Sequence, residues 1–244
     1  DNGDSMGIFR VDRSDGNFSY RDVNGQAGRR FNNQHFRIGG LGRVRWRPSA
    51  KDELSGLVET MVDERGEPGS AQFPSMDAES KRYRFLNSLN WRNPGLKAGT
   101  LPVSLQFFSL FRRFEFHDPS PTFMGDPSRF VMDDQSIGFR GSMSWEGHRK
   151  LRPRIQIEAR RETAATATKS IEDDQRREHR LQAAMATTLE LYANKDFDLI
   201  LMNRLDLTEN HPVMVVPKAG IVWRFGEGSR LRINGGRTFR VPSF

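Results

Sequence analysis

A period of two runs through most of this chain, and a chain that alternates at every residue is suited to sheets and little else. In "FRIGGLGRVRWRP", Phe36, Ile38, Val44 and Trp46 fall on one side with Gly40 and Gly42 between them, while Arg37, Arg43, Arg45 and Arg47 fall on the other. Successive strand residues point to opposite faces, so the stretch reads as a strand with one apolar face and one arginine face. The pattern alone leaves open which face is inside. In a water-soluble sheet the apolar face meets a core. In a membrane barrel it meets lipid, and the arginines line a wet lumen.

Composition narrows the choice. Hydrophobic residues make up 36% and mean hydropathy is -0.68, a thin supply for an ordinary core, yet there are 18 Phe and 22 Gly. That mixture suits many strands and turns. Cysteine is absent, which removes disulfides and thiolate sites. The net charge of +7 is dispersed through the alternating segments rather than clustered, which speaks for solvated strand faces over a nucleic-acid patch. No apolar run approaches the ~18 residues of a transmembrane helix.

Alternation and turn residues divide the chain into about eleven strand candidates. They begin near Met6 to Asp12 and continue through Phe36 to Arg47, Leu54 to Val62, Lys81 to Arg92, Thr100 to Phe114, a strand ending at Trp145, and Arg152 to Glu162. A strand ending at Tyr192, then Phe197 to Asp206, "VVPKAGIVWRF" and "SRLRINGGRTFR" complete the set. Short turns follow Arg47, Arg92, Trp145, Tyr192 and Phe225, whereas the connections after Val62, Phe114 and Glu162 are long and polar. The alanine-rich segment between Thr163 and Leu191 is read as loop in its middle and strand at its end, since Leu181, Met185, Leu189 and Leu191 keep period two. Tight turns at one end and long loops at the other are the plan of an outer-membrane barrel.

The tryptophans answer the inside-out question. Trp46, Trp91, Trp145 and Trp223 each stand at or next to the last strand residue before a short turn, and Tyr192 takes that place in "LYAN". The rings share their strands' apolar faces, Trp91 with Tyr83, Phe85 and Leu89, and Trp145 with Ile137, Phe139 and Met143. Five large amphipathic rings at one height read as an interfacial girdle, because Trp and Tyr are apolar bodies whose N–H or O–H still reaches water. The opposite faces mix acids, bases and amides, as in Arg82, Arg84, Ser88 and Asn90, which suits a hydrated lumen. Two strands, "LSGLVETMV" and "VVPKAGIVW", carry apolar residues on both faces. About ten residues at ~3.3 Å each, tilted ~40°, cross a ~25 Å hydrocarbon band.

With these elements in place, the chain resembles part of a TonB-dependent outer-membrane receptor barrel. The residues that carry the resemblance are "GGRTFRVPSF", in which Arg240, Pro242, Ser243 and Phe244 match a family motif, together with "DGNFSYRDVNG" and "DERGEPG". Residues 1–244 then read as one partial barrel domain: all-β, antiparallel and up-and-down, about eleven strands of a 22-stranded transmembrane barrel. The resemblance implies a cell outer membrane of the Gram-negative type. It also implies contact with outer-membrane lipid, active uptake of a small extracellular ligand such as a ferric siderophore, and coupling to TonB through a plug domain outside this stretch.

Catalytic motifs are lacking, and the five histidines show no metal-ligand spacing, so no enzyme activity, metal site or cofactor is expected. Ligand contacts are expected in the loops, from Arg29 and Arg30 and from the aromatic segment holding Phe114, Phe116, His117, Phe123 and Phe130. The competing readings are a passive outer-membrane channel and a soluble β-rich polyanion-binding protein. The preferred reading assigns no nucleic-acid partner.

Overall fold

The computed structural model describes residues 2–21, 25–69, 75–96, 100–120, 127–169, 173–226 and 228–238. Eleven strands form one antiparallel sheet in which each is hydrogen-bonded to the next along the chain. They are β1 (Gly3–Ser14), β4 (His35–Trp46), β5 (Glu53–Gly66), β6 (Glu79–Gly95), β7 (Leu101–Asp118) and β8 (Ser128–Ser144), followed by β9 (Leu151–Lys169), β10 (Asp173–Tyr192), β11 (Phe197–Thr208), β12 (Met214–Phe225) and β13 (Ser229–Gly236). A separate hairpin of β2 (Phe18–Arg21) and β3 (Ala27–Arg30) is inserted between β1 and β4. The up-and-down order is the one expected, and the inserted hairpin is an addition to it.

Directly opposed residues of an antiparallel pair share a face, so the register can be followed across the whole sheet. One row passes from Trp46 through Leu54, Trp91, Leu105, Gly141, Ile157, Met185 and Leu205 to Val215. All nine are apolar or glycine. The row beside it, one residue along each strand, passes from Arg45 through Ser55, Asn90, Gln106, Arg140, Glu158 and Ala184 to Asp206. Alternation in single strands has thus been assembled into one continuous apolar face and one continuous polar face. A slip of one residue in any pair would break both.

The two faces bury differently. In β4 to β13, every exposed large hydrophobic side chain, from Phe36 and Val44 to Leu231 and Ile233, is on the apolar face. The buried side chains Asp63, Ser80, Gln182, Ala186, Thr188, Asp198, Thr208, Val216 and Val222 are on the polar face, and the exception is Asn93, which is tied to the short turn beyond Trp91. A curved sheet produces this asymmetry, because side chains converge on its concave side and splay on its convex side. Val216 and Val222 explain the apolar residues on both faces of "VVPKAGIVW", since they are covered from within the concave side. Close fitting there also requires Gly138, whose added Cβ would stand 2.7 Å from Phe108 Cζ and 2.7 Å from the Ala159 carbonyl oxygen.

The tilt of the strands follows from the register. The row that leaves Trp46 reaches Val215 eight strand intervals later, eight residues short of Trp223. With the tryptophans at one level, a climb of ~26 Å over a width of ~38 Å means strands inclined by about 35°. That is the lean at which strands close into barrels.

All three long connections are shorter than their composition suggests, β5 running on to Gly66 and β6 starting at Glu79. β7 continues past Phe114 to Asp118, β8 starts at Ser128, and β9 and β10 run on to Lys169 and back from Asp173. The segment "TAATATK", read as loop, is therefore strand. Where both faces meet water nothing selects apolar residues at every second position, and the ladder persists without its sequence signature.

Candidate functional site

The apolar face is a belt with two edges. In β6 it runs from Trp91 through Leu89 and Phe85 to Tyr83 and gives way to Lys81 and Glu79. In β7 it runs from Val103 to Phe111 and ends at Arg113, in β8 it ends at Asp133, in β9 at Arg161, and in β5 at Glu64. Each strand gives it about nine to eleven residues, the length of a membrane-crossing β-strand.

Trp46, Trp91, Trp145 and Trp223 lie on this face at its short-turn edge. Trp91 Nε1 donates a 3.0 Å hydrogen bond to Asp52 in the turn below, and Asn93 Nδ2 donates another to the same oxygen at 2.9 Å. Hydrogen bonds from Ser49, Asn93 and Trp91 hold the Asp52 carboxyl below the usual carboxylate range. Trp223 stacks on Phe197 with centroids 5.9 Å apart. Tyr192 is a correction to the expected girdle, because it points to the polar face. Its hydroxyl donates to Glu190 at 2.8 Å, and the Arg152 guanidinium sits 5.1 Å above its ring. The parity of β10 dictates this, for Leu191 and Leu189 take the apolar side. Phe197 on the neighbouring strand supplies the ring on the apolar face instead.

The polar face carries the other candidate site, at the end of the strands far from the tryptophans. Phe114, Phe116 and Phe130 come together there. Phe116 is paired with Phe130 across β7 and β8, Phe114 and Phe130 have centroids 6.2 Å apart, and Arg82 of β6 lies 5.6 Å over the Phe114 ring. Beside them is a hollow of about 510 Å³ walled by Leu110, Arg112, Met132, Asp134, Glu162 and Arg180. Its charges are balanced, with Arg112 Nη2 to Asp134 at 3.1 Å and Arg180 Nη2 to Glu162 at 2.6 Å. Such a wall can stack flat or apolar groups and exchange hydrogen bonds of both polarities.

Other expected contacts go elsewhere. His117 turns to the opposite face, opposite Arg129 and Glu79, because it is odd-numbered in a strand whose inward residues are even. Arg30 is occupied by the Gly69 carbonyl oxygen at 2.6 Å, which moors the β2–β3 hairpin to the connection after β5, and Arg29 lies over Phe31 at 5.4 Å. Phe123, Arg240, Pro242, Ser243 and Phe244 lie outside the described residues. Arg82 and Met132 were missed, although parity counted from Trp91 and Trp145 already puts both inside. Also missed was the anchor at the same end of β4 to β6. Buried Asp63 accepts from Arg37 Nη2 at 2.8 Å and from Arg65 Nε and Nη2 at 2.9 Å, with His35 Nε2 3.0 Å away.

A hollow of about 780 Å³ is lined by Met143, Trp145, Ile155, Leu189, Leu201 and Ala219 of the apolar belt, with Ser144, Arg154, Thr188 and Lys218 also on its margin.

No protein-family profile matches the sequence, and no curated protein matches it either. Solved structures do. The sheet is similar to the copper transporter OprC over 100% of this chain at 14% identity, with a TM-score of 0.77. It is similar to the RagAB peptide importer in its closed-closed state over 97% of the chain at 11% identity and TM-score 0.68. The outer membrane transporter YddB from Escherichia coli matches 91% of it at 9% identity and TM-score 0.66. The eleven-stranded sheet has the fold of a section of the barrel wall in those structures. The chain spans 42%, 35% and 34% of those structures respectively. In barrels of that kind one face of the sheet meets lipid and the other lines the lumen.

Proposed function

We propose that this chain is a stretch of wall and outer loops of a TonB-dependent receptor that actively takes up a scarce extracellular ligand, a ferric siderophore in the first instance. The observation that carries the reading is the belt itself, apolar over one membrane thickness, bounded by tryptophans at the short turns and by charged residues beyond. A soluble polyanion-binding protein has no use for a water-exposed face of Phe107, Phe139, Ile137 and Leu105. Likeness of fold to transporters for copper and for peptides supports a transport role. The aromatic and ion-paired wall around Phe114 and Arg82 is the proposed ligand contact of this segment, at the outer mouth, and the energy for inward release comes from TonB acting on a plug.

The test is uptake of labelled ferric siderophores by cells carrying the intact protein, with and without the proton-motive force. Active transport predicts saturable uptake that collapses with the proton-motive force, and a several-fold rise in half-saturation for Phe114→Ala combined with Arg82→Ala. Non-saturating solute flux that ignores the proton-motive force would instead assign a passive channel.

A further inference from the structure

Two asparagines stand at mid-depth on the apolar belt, and they are accommodated differently. Asn87 of β6 is directly opposite Ser109 of β7, and its Nδ2 donates to Ser109 Oγ at 2.8 Å, so each polar group closes on the other within the wall. Asn203 has no such arrangement. In β11 the belt side chains run from Phe197 through Leu199, Leu201, Asn203 and Leu205 to Leu207, which puts the Asn203 amide midway across the band. Thr187 sits opposite it on β10 and Pro217 on β12. Both Thr187 and Asn203 are exposed, and among the described residues neither side chain makes a hydrogen bond. The surroundings are small. Ala219 and Gly235 are paired in the adjacent row, and a Cβ added at Gly235 would meet nothing within 4 Å. With Thr187, Asn203 and Pro217 they line the hollow of about 780 Å³, whose larger side chains include Trp145, Ile155 and Leu189.

In hydrocarbon an unpaired amide is costly, because neither its N–H groups nor its oxygen finds water. A lipid tail can fill a hollow but offers no donor or acceptor, and the polar parts of lipids lie at the interfaces, away from mid-depth. Asparagine carries two donors and an acceptor on one planar group and is therefore complementary to itself. Two copies of this face related by a two-fold axis set Asn203 against Asn203 and bring each protomer's larger belt side chains to the other's hollow. That is the self-complementary contact of a closed dimer, with small residues allowing close approach and side-chain hydrogen bonds joining the partners inside the bilayer. We infer that the patch centred on Asn203 is a lateral interface at which a second copy of this barrel docks within the membrane. This rests on the reading of the apolar face as lipid-facing.

The test uses the intact protein in outer membranes, with the photoreactive residue benzoylphenylalanine incorporated in place of Leu201, the belt neighbour of Asn203, so that the amide itself is kept. Irradiation is expected to give a product of twice the protein's mass in which both cross-linked peptides come from this protein. The same probe in place of Phe107, four strands away, is expected to give no such product. Adding Asn203→Leu keeps the belt apolar, should leave the wall folded, and should lower the dimer product at position 201 several-fold. Products confined to lipid, or joined to a different protein, would overturn the inference, and so would a dimer yield that Asn203→Leu leaves unchanged. The membrane reading is checked apart from this, in the cysteine-free stretch. Phe107→Cys in the belt should resist a membrane-impermeant thiol reagent, and ready labelling there would sink that reading whatever the photoproducts show.

Discussion

Putting an arginine at Phe107 separates a membrane wall from any water-exposed sheet, because the two environments predict opposite outcomes. Phe107 is the midpoint of the β7 belt between Val103 and Phe111, is 58% exposed, and touches Phe139 across β8 at 6.4 Å between centroids. In water, replacing so exposed an aromatic ring with arginine would change stability by no more than ~0.5 kcal/mol. In a bilayer the same change puts a guanidinium at the middle of the hydrocarbon, at a cost of ~2–4 kcal/mol, against ~0–1 kcal/mol near an interface. Taking ~3 kcal/mol, the folded-to-unfolded ratio falls about 150-fold. Gln106→Arg, the adjacent residue on the lumenal face, should be nearly neutral, and Val103→Arg at the belt edge should fall between. Phe107→Ala corrects for the lost ring contact. The measurement is equilibrium urea unfolding of the intact protein in lipid vesicles, followed by tryptophan emission. If Phe107→Arg costs no more than Gln106→Arg, the assignment of lipid and lumen to these two faces is wrong.

Three further outcomes are expected. Gly138→Ala would drive a methyl against Phe108, the Ala159 carbonyl and Arg160 Cβ, all within 2.8 Å, and should lower stability by ~1–3 kcal/mol in the same titration. Asp63→Asn removes the one acid that Arg37, Arg65 and His35 share. The loss of a buried partner should cost about 3 kcal/mol, the lower end of the usual range because both arginines reach water, and it should show as faster hydrogen exchange at the outer ends of β4 and β5. The Asp52 carboxyl is lowered in the folded protein by its hydrogen bonds from Ser49, Asn93 and Trp91. Its contribution is therefore complete above the unfolded carboxylate value near pH 4 and fades as the pH falls through the lower folded value. Trp91 emission should shift over that acid range, and Asp52→Asn should remove the shift.

Much of the wall was legible in the sequence because the period-two signal is strong wherever one face must be apolar. The place of Arg82 on the polar face and of Phe85 on the apolar face both follow from counting outward from Trp91. The same counting within its own strand places Tyr192 on the polar face, and the girdle assignment failed there because position before a turn was weighed above parity. Beyond the belt, the strand formed by Ala164 to Thr168 could not be read, since neither of its faces is required to be greasy. The candidate ligand wall divided in the same way. Phe114, Phe116 and Phe130 were picked out by composition, but which of them meet, and that His117 leaves them, depends on pairing between β7 and β8.

By itself the sequence determined that the chain makes strands, which residues share a side, and that the apolar side ends in tryptophan at the short turns. These are local properties, set by the alternation of Cβ directions along one strand. Only the tertiary structure decided that the side chains align into one unbroken belt, that the strands lean by about 35°, and which arginines find acids. Asp63 neutralises Arg37 across a strand pair, while among the described residues Arg230 and Arg232 make no ion pair. Register between strands is a nonlocal agreement, and no single segment carries it.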